Sequence, residues 1–152
     1  MTDVLRQLEK DAEKIVKLAI RVIKKAGYMT TDRLTIMKVA YLIEREYYLE
    51  TGSRLTSLSY SNYYYGPYNE FVMIALEQLA NTGNIQKVDD YTYDLSPVNI
   101  EDIPSPLKEV EKRVINIIRK KTSFTLVDYI HTLREVKGTP FGEEISFKKI
   151  SN

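Results

Sequence analysis

The chain has a single histidine, His131, and any imidazole chemistry must run through it. Asp128, His131, Thr132 and Glu135 stand at i, i+3, i+4 and i+7, so one continuous helix would line them along a single face. A histidine beside a carboxylate and a hydroxyl is the raw material of a base-activated nucleophile. It could also begin a metal site if Glu44 or Glu46 closed on it from elsewhere. Neither arrangement is complete. A serine or threonine nucleophile needs the histidine as base and an oriented acid behind it. No His-Glu-x-x-His pair and no Asp-rich calcium loop is present. The six glycines form no phosphate-cradling Gly-x-x-x-x-Gly-Lys loop, and the absence of cysteine removes thiolate, zinc–cysteine and disulfide chemistry. The expectation is a chain that is not an enzyme, with no catalytic residue, no cofactor and no metal. His131 is then a packing residue at the edge of an apolar face. From there a ring nitrogen reaches a carbonyl, Asp128 or a tyrosine hydroxyl near Gly66.

Recognition chemistry is better represented. Five of the twelve tyrosines, Tyr60, Tyr63, Tyr64, Tyr65 and Tyr68, fall within nine residues, interrupted by Gly66-Pro67. Tyrosine couples a large rigid contact area to a hydroxyl, a combination favoured at binding surfaces. Four of the rings precede Gly66 in a run expected to be extended. Pro67 suits the first position of a helix, where its missing N–H costs nothing. The expectation is a strand-to-helix corner, with most of the rings sealing the core and at least two exposed side by side. Tyr63, Tyr64, Tyr65, Tyr68 and Arg45 form the expected partner-binding set.

Charge gives less direction. The net charge is +1, so bulk electrostatics exert no strong pull toward nucleic acid. Lys10, Lys14, Lys17, Arg21 and Lys24 nonetheless recur at spacings of four, three, four and three, which places them on one helical face. Lys14, Lys17, Arg21 and Lys24 are the candidate phosphate track of the alternative reading, a nucleic-acid-binding regulator with weak, non-specific affinity. The competing reading is a solvated face, because acids sit early and bases late, as the helix dipole favours. Glu13 also precedes Lys17 by four.

The elements that must position these groups follow from periodicity. Helical spacing runs over residues 5–26, stopped by Gly27. A second helix opens at Thr31 or Asp32 and runs to about residue 49 before Gly52, and a third covers 68–80. Residues 85–88 and 91–95 alternate around Asp89-Asp90 as a β-hairpin. Ser105-Pro106 opens a fourth helix, and Thr125 caps a fifth over 126–136. Residues 139–142 read as a turn and 145–150 as a short final element. This is a mainly α (α+β) domain: an N-terminal helix (1–27), a helix-helix-hairpin core (31–96) and C-terminal helices (105–152). Helix, helix, helix, hairpin is the order of a winged-helix unit. Its recognition-helix position carries Glu70 and Glu77 but no lysine or arginine. The wing sets Lys87 against Asp89, Asp90 and Asp94, so phosphates would be repelled there. No apolar run is long enough to span a membrane, and no secretory signal opens the chain, so a cytoplasmic protein is expected. Three glutamines, no cysteine and abundant Lys, Glu and Ile point toward a thermophilic source.

The segment Lys38-Val-Ala-Tyr41-Leu-Ile-Glu44-Arg45-Glu46-Tyr47, followed by Gly52-Ser-Arg-Leu-Thr56 and Tyr65-Gly66-Pro67-Tyr68, resembles the Panacea domain family. His131 and Thr139-Pro140-Phe141 fill the places of that family's later histidine and Pro-Trp. The resemblance extends over residues 31–150. It departs at Ile43-Glu44, where Ala-Asp is usual, and at Phe141, where tryptophan is usual. Members occur as antitoxins of toxin–antitoxin pairs and in phage-associated proteins. The resemblance implies a protein that neutralises a cognate toxin by stoichiometric binding, with Lys38, Tyr41, Glu44, Gly66, Pro67, His131, Pro140 and Phe141 as motif residues. A hydrolase or metal protein around His131 is the less favoured reading. The identity of the toxin and the oligomeric state, a homodimer included, stay open.

Overall fold

A computed structural model describes residues 2–105 and 107–150, so Pro106, expected to open a helix, lies outside the described residues. Helix α1 (Asp3–Lys25) starts where the Thr2 side chain accepts the Leu5 amide. It buries a stripe that includes Ala12, Ile15, Ala19, Val22 and Ile23. That stripe lies against α2 (Arg33–Thr51) and α3 (Glu70–Asn81). Asp32 opens α2 by accepting the Thr35 amide at 2.8 Å, and Gly52 ends it in the left-handed conformation at φ 74°. Residues 36 to 43 of α2 are buried without interruption, which makes it the central helix.

The expected hairpin is present as β4 (Gln86–Lys87) and β5 (Thr92–Asp94), with Asp89 accepting the Tyr91 and Thr92 amides at its turn. A strand the pattern did not reveal, β1 (Thr30–Asp32), pairs antiparallel with β5 and completes a three-stranded sheet in the order β1-β5-β4. Three residues are too few to show period two, so nothing in the sequence marked it. The succession of α1, β1, α2, α3 and the β4–β5 wing keeps the winged-helix order.

Between α2 and α3 the structure departs from expectation. The Gly-Pro segment is a second hairpin, β2 (Ser61–Tyr63) and β3 (Gly66–Tyr68), with Tyr64 and Tyr65 at its tip. Pro67 therefore sits in a strand and does not open a helix. Opposite it, Asn62 turns its backbone away from β3: its N–H donates to Glu143 and its carbonyl accepts from Gly142. A proline tolerates that register because no ladder donor is required of it. Helix α3 begins two residues later, where Asn69 accepts the Val72 amide at 3.0 Å.

The C-terminal half also differs from the periodic reading. Helix α4 (Lys108–Ile118) is followed by α5 (Ser123–Thr132), capped reciprocally by Thr122 and Thr125, so the cap lies three residues before the expected one. The chain then leaves helical geometry at Leu133, where ψ is 134°, and resumes as α6 (Arg134–Lys137). Residues 139–145 return along β2 through the Ser61–Glu144 bridge and the bond from Ile145 N–H to the Tyr60 carbonyl. The buried side chains form one core, from Ala12 in α1 to Ile150. Among the described residues no helix is long and apolar enough to cross a membrane.

Candidate functional site

The β2–β3 hairpin is held from three directions. From below, Glu44 of α2 is fully buried and accepts hydrogen bonds from the Thr56 hydroxyl at 2.6 Å and the Tyr60 hydroxyl at 2.5 Å, with Arg54 at 3.4 Å. Burial raises its carboxyl above the ordinary range, and the three donors only partly offset that. From one side, the Asn62 side chain donates to the Val136 and Thr139 carbonyls. From the other, His131 Nε2 meets the Tyr64 carbonyl at 2.9 Å at the hairpin tip. That is the histidine-to-corner contact the sequence implied. Gly66 makes this close fit geometrically necessary: its φ is 104°, and a Cβ there would stand 3.1 Å from Ile130 Cγ2 of α5.

The rings carried by this hairpin divide unevenly. Tyr60 is fully buried and Tyr68 half-buried, while Tyr63, Tyr64 and Tyr65 are exposed, Tyr64 most of all at 79%. The expectation that most of the five seal the core is therefore corrected. Two-residue hairpin tips project away from the core, and the tail closing over β2 leaves its rings on the outside. That tail adds a fourth exposed ring. Phe141 meets Tyr63 edge-on at 5.4 Å between centroids and Tyr64 at 4.8 Å, and Tyr63 meets Tyr68 at 5.7 Å. Each such pair contributes about 0.5–1.5 kcal/mol beyond area burial, so the rings hold one another in place in the absence of a partner. Pro140 is exposed and precedes Phe141 in the turn. The motif supplied Phe141 to the sequence reading, but nothing local showed that it would join the tyrosines.

Arg45 does not belong to this surface. Its side chain is 13% exposed, with Nε donating to Glu135 Oε2 at 2.7 Å and a guanidinium nitrogen 3.3 Å from Glu46. Tyr41 donates its hydroxyl to the same Glu135 oxygen at 2.7 Å. Burial and the adjacent Glu135 carboxylate push the Tyr41 hydroxyl far above its ordinary value, so it stays a donor. The sequence reading missed this pairing because α2 and α6 are about ninety residues apart along the chain. It also breaks up the His131 constellation. The kink at Leu133 sends Glu135 inward, fully buried, while Asp128 and Thr132 remain exposed and His131 turns to Tyr64. Among the described residues no group of three His, Cys, Asp or Glu side chains could hold a metal ion.

The basic face of α1 is committed to packing over its C-terminal part. Arg21 donates to Glu111 Oε2 at 3.0 Å and to the Ile100 and Ile103 carbonyls, and Lys25 reaches Glu111 at 2.6 Å. Lys24 donates to the Val98 carbonyl, and Lys17 pairs with Glu13. Lys10 and Lys14 remain exposed. Two of the five stripe residues, Arg21 and Lys24, thus tether the 96–103 connector, so the stripe is neither a free phosphate track nor a wholly solvated face. Lys38, the first motif residue, is 2% exposed.

A protein-family comparison matches residues 36–135 to the antitoxin SocA-like Panacea domain, a span that includes Lys38, Tyr41, Glu44, the hairpin and His131 but stops before Phe141. Comparisons with curated proteins and with solved structures yield no match. With a family model covering about two thirds of its length, the chain belongs to the SocA-like antitoxin family and carries its Panacea domain.

Proposed function

We propose that the protein is an antitoxin that neutralises a cognate protein toxin by stoichiometric binding, with no catalytic step, and that Tyr63, Tyr64, Tyr65 and Phe141 are its contact surface. The observation that carries this reading is the exposed aromatic cluster on the β2–β3 hairpin, held from beneath by Glu44 and from the side by His131. Contiguous exposed rings are uncommon on a monomer surface and are the usual anchors of a protein interface. Their mutual packing reduces the ordering cost of binding, since little rotamer freedom is left to lose. The family supports the antitoxin role in general terms.

The experiment is co-expression of the chain with candidate toxins from its native host, followed by affinity measurement on the purified pair. Tyr64→Ala combined with Phe141→Ala should weaken the complex by about 1–4 kcal/mol while leaving the melting temperature nearly unchanged. Undiminished affinity in that double variant contradicts the proposal.

A further inference from the structure

Beside Tyr65 at the hairpin tip lies a cleft of about 290 Å³ between the start of α2 and α5. Its lining includes Arg33, Lys38, Tyr65, Tyr91, Phe124 and Val127. Three of these rings are exposed at its rim: Tyr65 at 59%, Tyr91 at 58% and Phe124 at 83%. The floor is unusual. Lys38 is buried to 2% exposure, yet among the described residues it makes no hydrogen bond and no ion pair. Desolvation by burial lowers its pKa, and Asp32 offsets this only in part. Asp32 also lines the cleft, but both of its oxygens are taken, Oδ1 by the Thr35 amide at 2.8 Å and Oδ2 by the Thr35 hydroxyl at 2.9 Å. Arg33 lies over the Tyr91 ring at 4.5 Å, which keeps a second positive charge at the mouth.

An ammonium at the floor of a largely apolar cleft, with Asp32 engaged by Thr35, is incompletely neutralised, and a ligand carboxylate is the group that completes the pairing. The surrounding walls are apolar and aromatic, so the ligand must present that carboxylate next to an apolar group. Tyr65 belongs both to this cleft and to the exposed aromatic cluster, so an occupant can bridge the two. We infer that the Lys38 cleft receives an acidic side chain of the partner protein, flanked by an apolar residue, and so sets which partner the aromatic surface accepts. This rests on the partner-binding reading above.

The test has two arms. In the first, phenylacetate is titrated into the full chain with phenylacetamide as the neutral control, following the Val127 methyl resonances by NMR. Phenylacetate should give saturable shifts, weakened at least about tenfold in Lys38→Met and in the phenylacetamide control, and retained in Lys38→Arg. Absence of saturable shifts, an equal response to both compounds, or an unchanged response in a folded Lys38→Met overturns the site. The second arm uses the toxin complex. Lys38→Met, or saturating phenylacetate, should weaken it by about tenfold or more. If Tyr64→Ala disrupts the complex while Lys38→Met and phenylacetate leave it intact, the aromatic surface stands and the acidic anchor is refuted. If phenylacetate binds through Lys38 but the complex is indifferent to it, the occupant is a free small carboxylate and the partner assignment is wrong.

Discussion

Replacing Glu44 by glutamine isolates the support beneath the hairpin without changing its volume. The carboxylate accepts from Thr56 on Oε1 and from Tyr60 on Oε2. An amide keeps one acceptor and puts a donor in the other place, so whichever way it is oriented one of the two hydroxyl protons loses its acceptor. Leaving a buried hydroxyl proton without an acceptor costs about 1–3 kcal/mol, which is the upper bound on the loss, because a protonated Glu44 offers the same single acceptor and single donor as the amide. The pH dependence gives the sharper test. Burial raises the folded-state carboxyl of Glu44 above its unfolded value. The stability it contributes is therefore complete below the unfolded pKa and is lost as pH rises through the folded one. The wild type should decline along this limb by up to about 1.4 kcal/mol per pH unit, whereas glutamine does not titrate. Urea unfolding at about pH 5 and about pH 8 should thus show the Glu44→Gln deficit shrinking as pH rises, at constant m-value. A deficit that grows with pH would mean that Arg54 and the two hydroxyls overcome burial and hold the group as an anion, and the reasoning would be refuted.

Three further outcomes follow from the same contacts. Arg45→Met should cost about 3–5 kcal/mol in denaturant unfolding, because it breaks a buried ion pair and leaves the Glu135 carboxyl, fully buried, with only the Tyr41 hydroxyl as a side-chain partner; a loss under about 1 kcal/mol would return Arg45 to the surface set. Gly66→Ala should destabilise by about 1–3 kcal/mol, from its positive φ and the crowding against Ile130 Cγ2, and a neutral result would show that the hairpin can shift away from α5. His131→Ala should cost only about 0.5–1.5 kcal/mol, because its bond to the Tyr64 carbonyl is solvent-accessible, yet it should weaken toxin binding by freeing the hairpin tip.

Local signals carried much of this fold. The α1 stripe, the Asp32 cap with Gly52, and the Asp89-Asp90 turn each combine periodicity with a terminating residue, and each lies where the sequence indicates. The failures share a cause in tertiary contact. Pro67 adopts a strand because the 139–145 tail takes the backbone groups of Asn62, a pairing about eighty residues away that no local preference encodes. The apolar spacing at Val127, Ile130 and Val136 reads as one helix because a kink at Leu133 leaves that spacing nearly unchanged. Arg45 looked like an exposed anchor for the same reason: its partner Glu135 comes into reach only through that kink. The link from His131 to the hairpin was legible because both ends belong to one family motif, whereas the exposure of Tyr64 follows from a hairpin tip that the strand-to-helix expectation did not contain.

The central claim is that exposed rings on a rigid hairpin bind a protein toxin. Its most direct measurement is calorimetric titration of the cognate toxin into the wild-type chain and into Tyr64→Ala/Phe141→Ala, with both chains first shown to unfold at the same temperature. The account predicts a stoichiometric complex with the wild type and an affinity lower by about 1–4 kcal/mol in the double variant. Equal affinities for the two chains would place the interface elsewhere and contradict it.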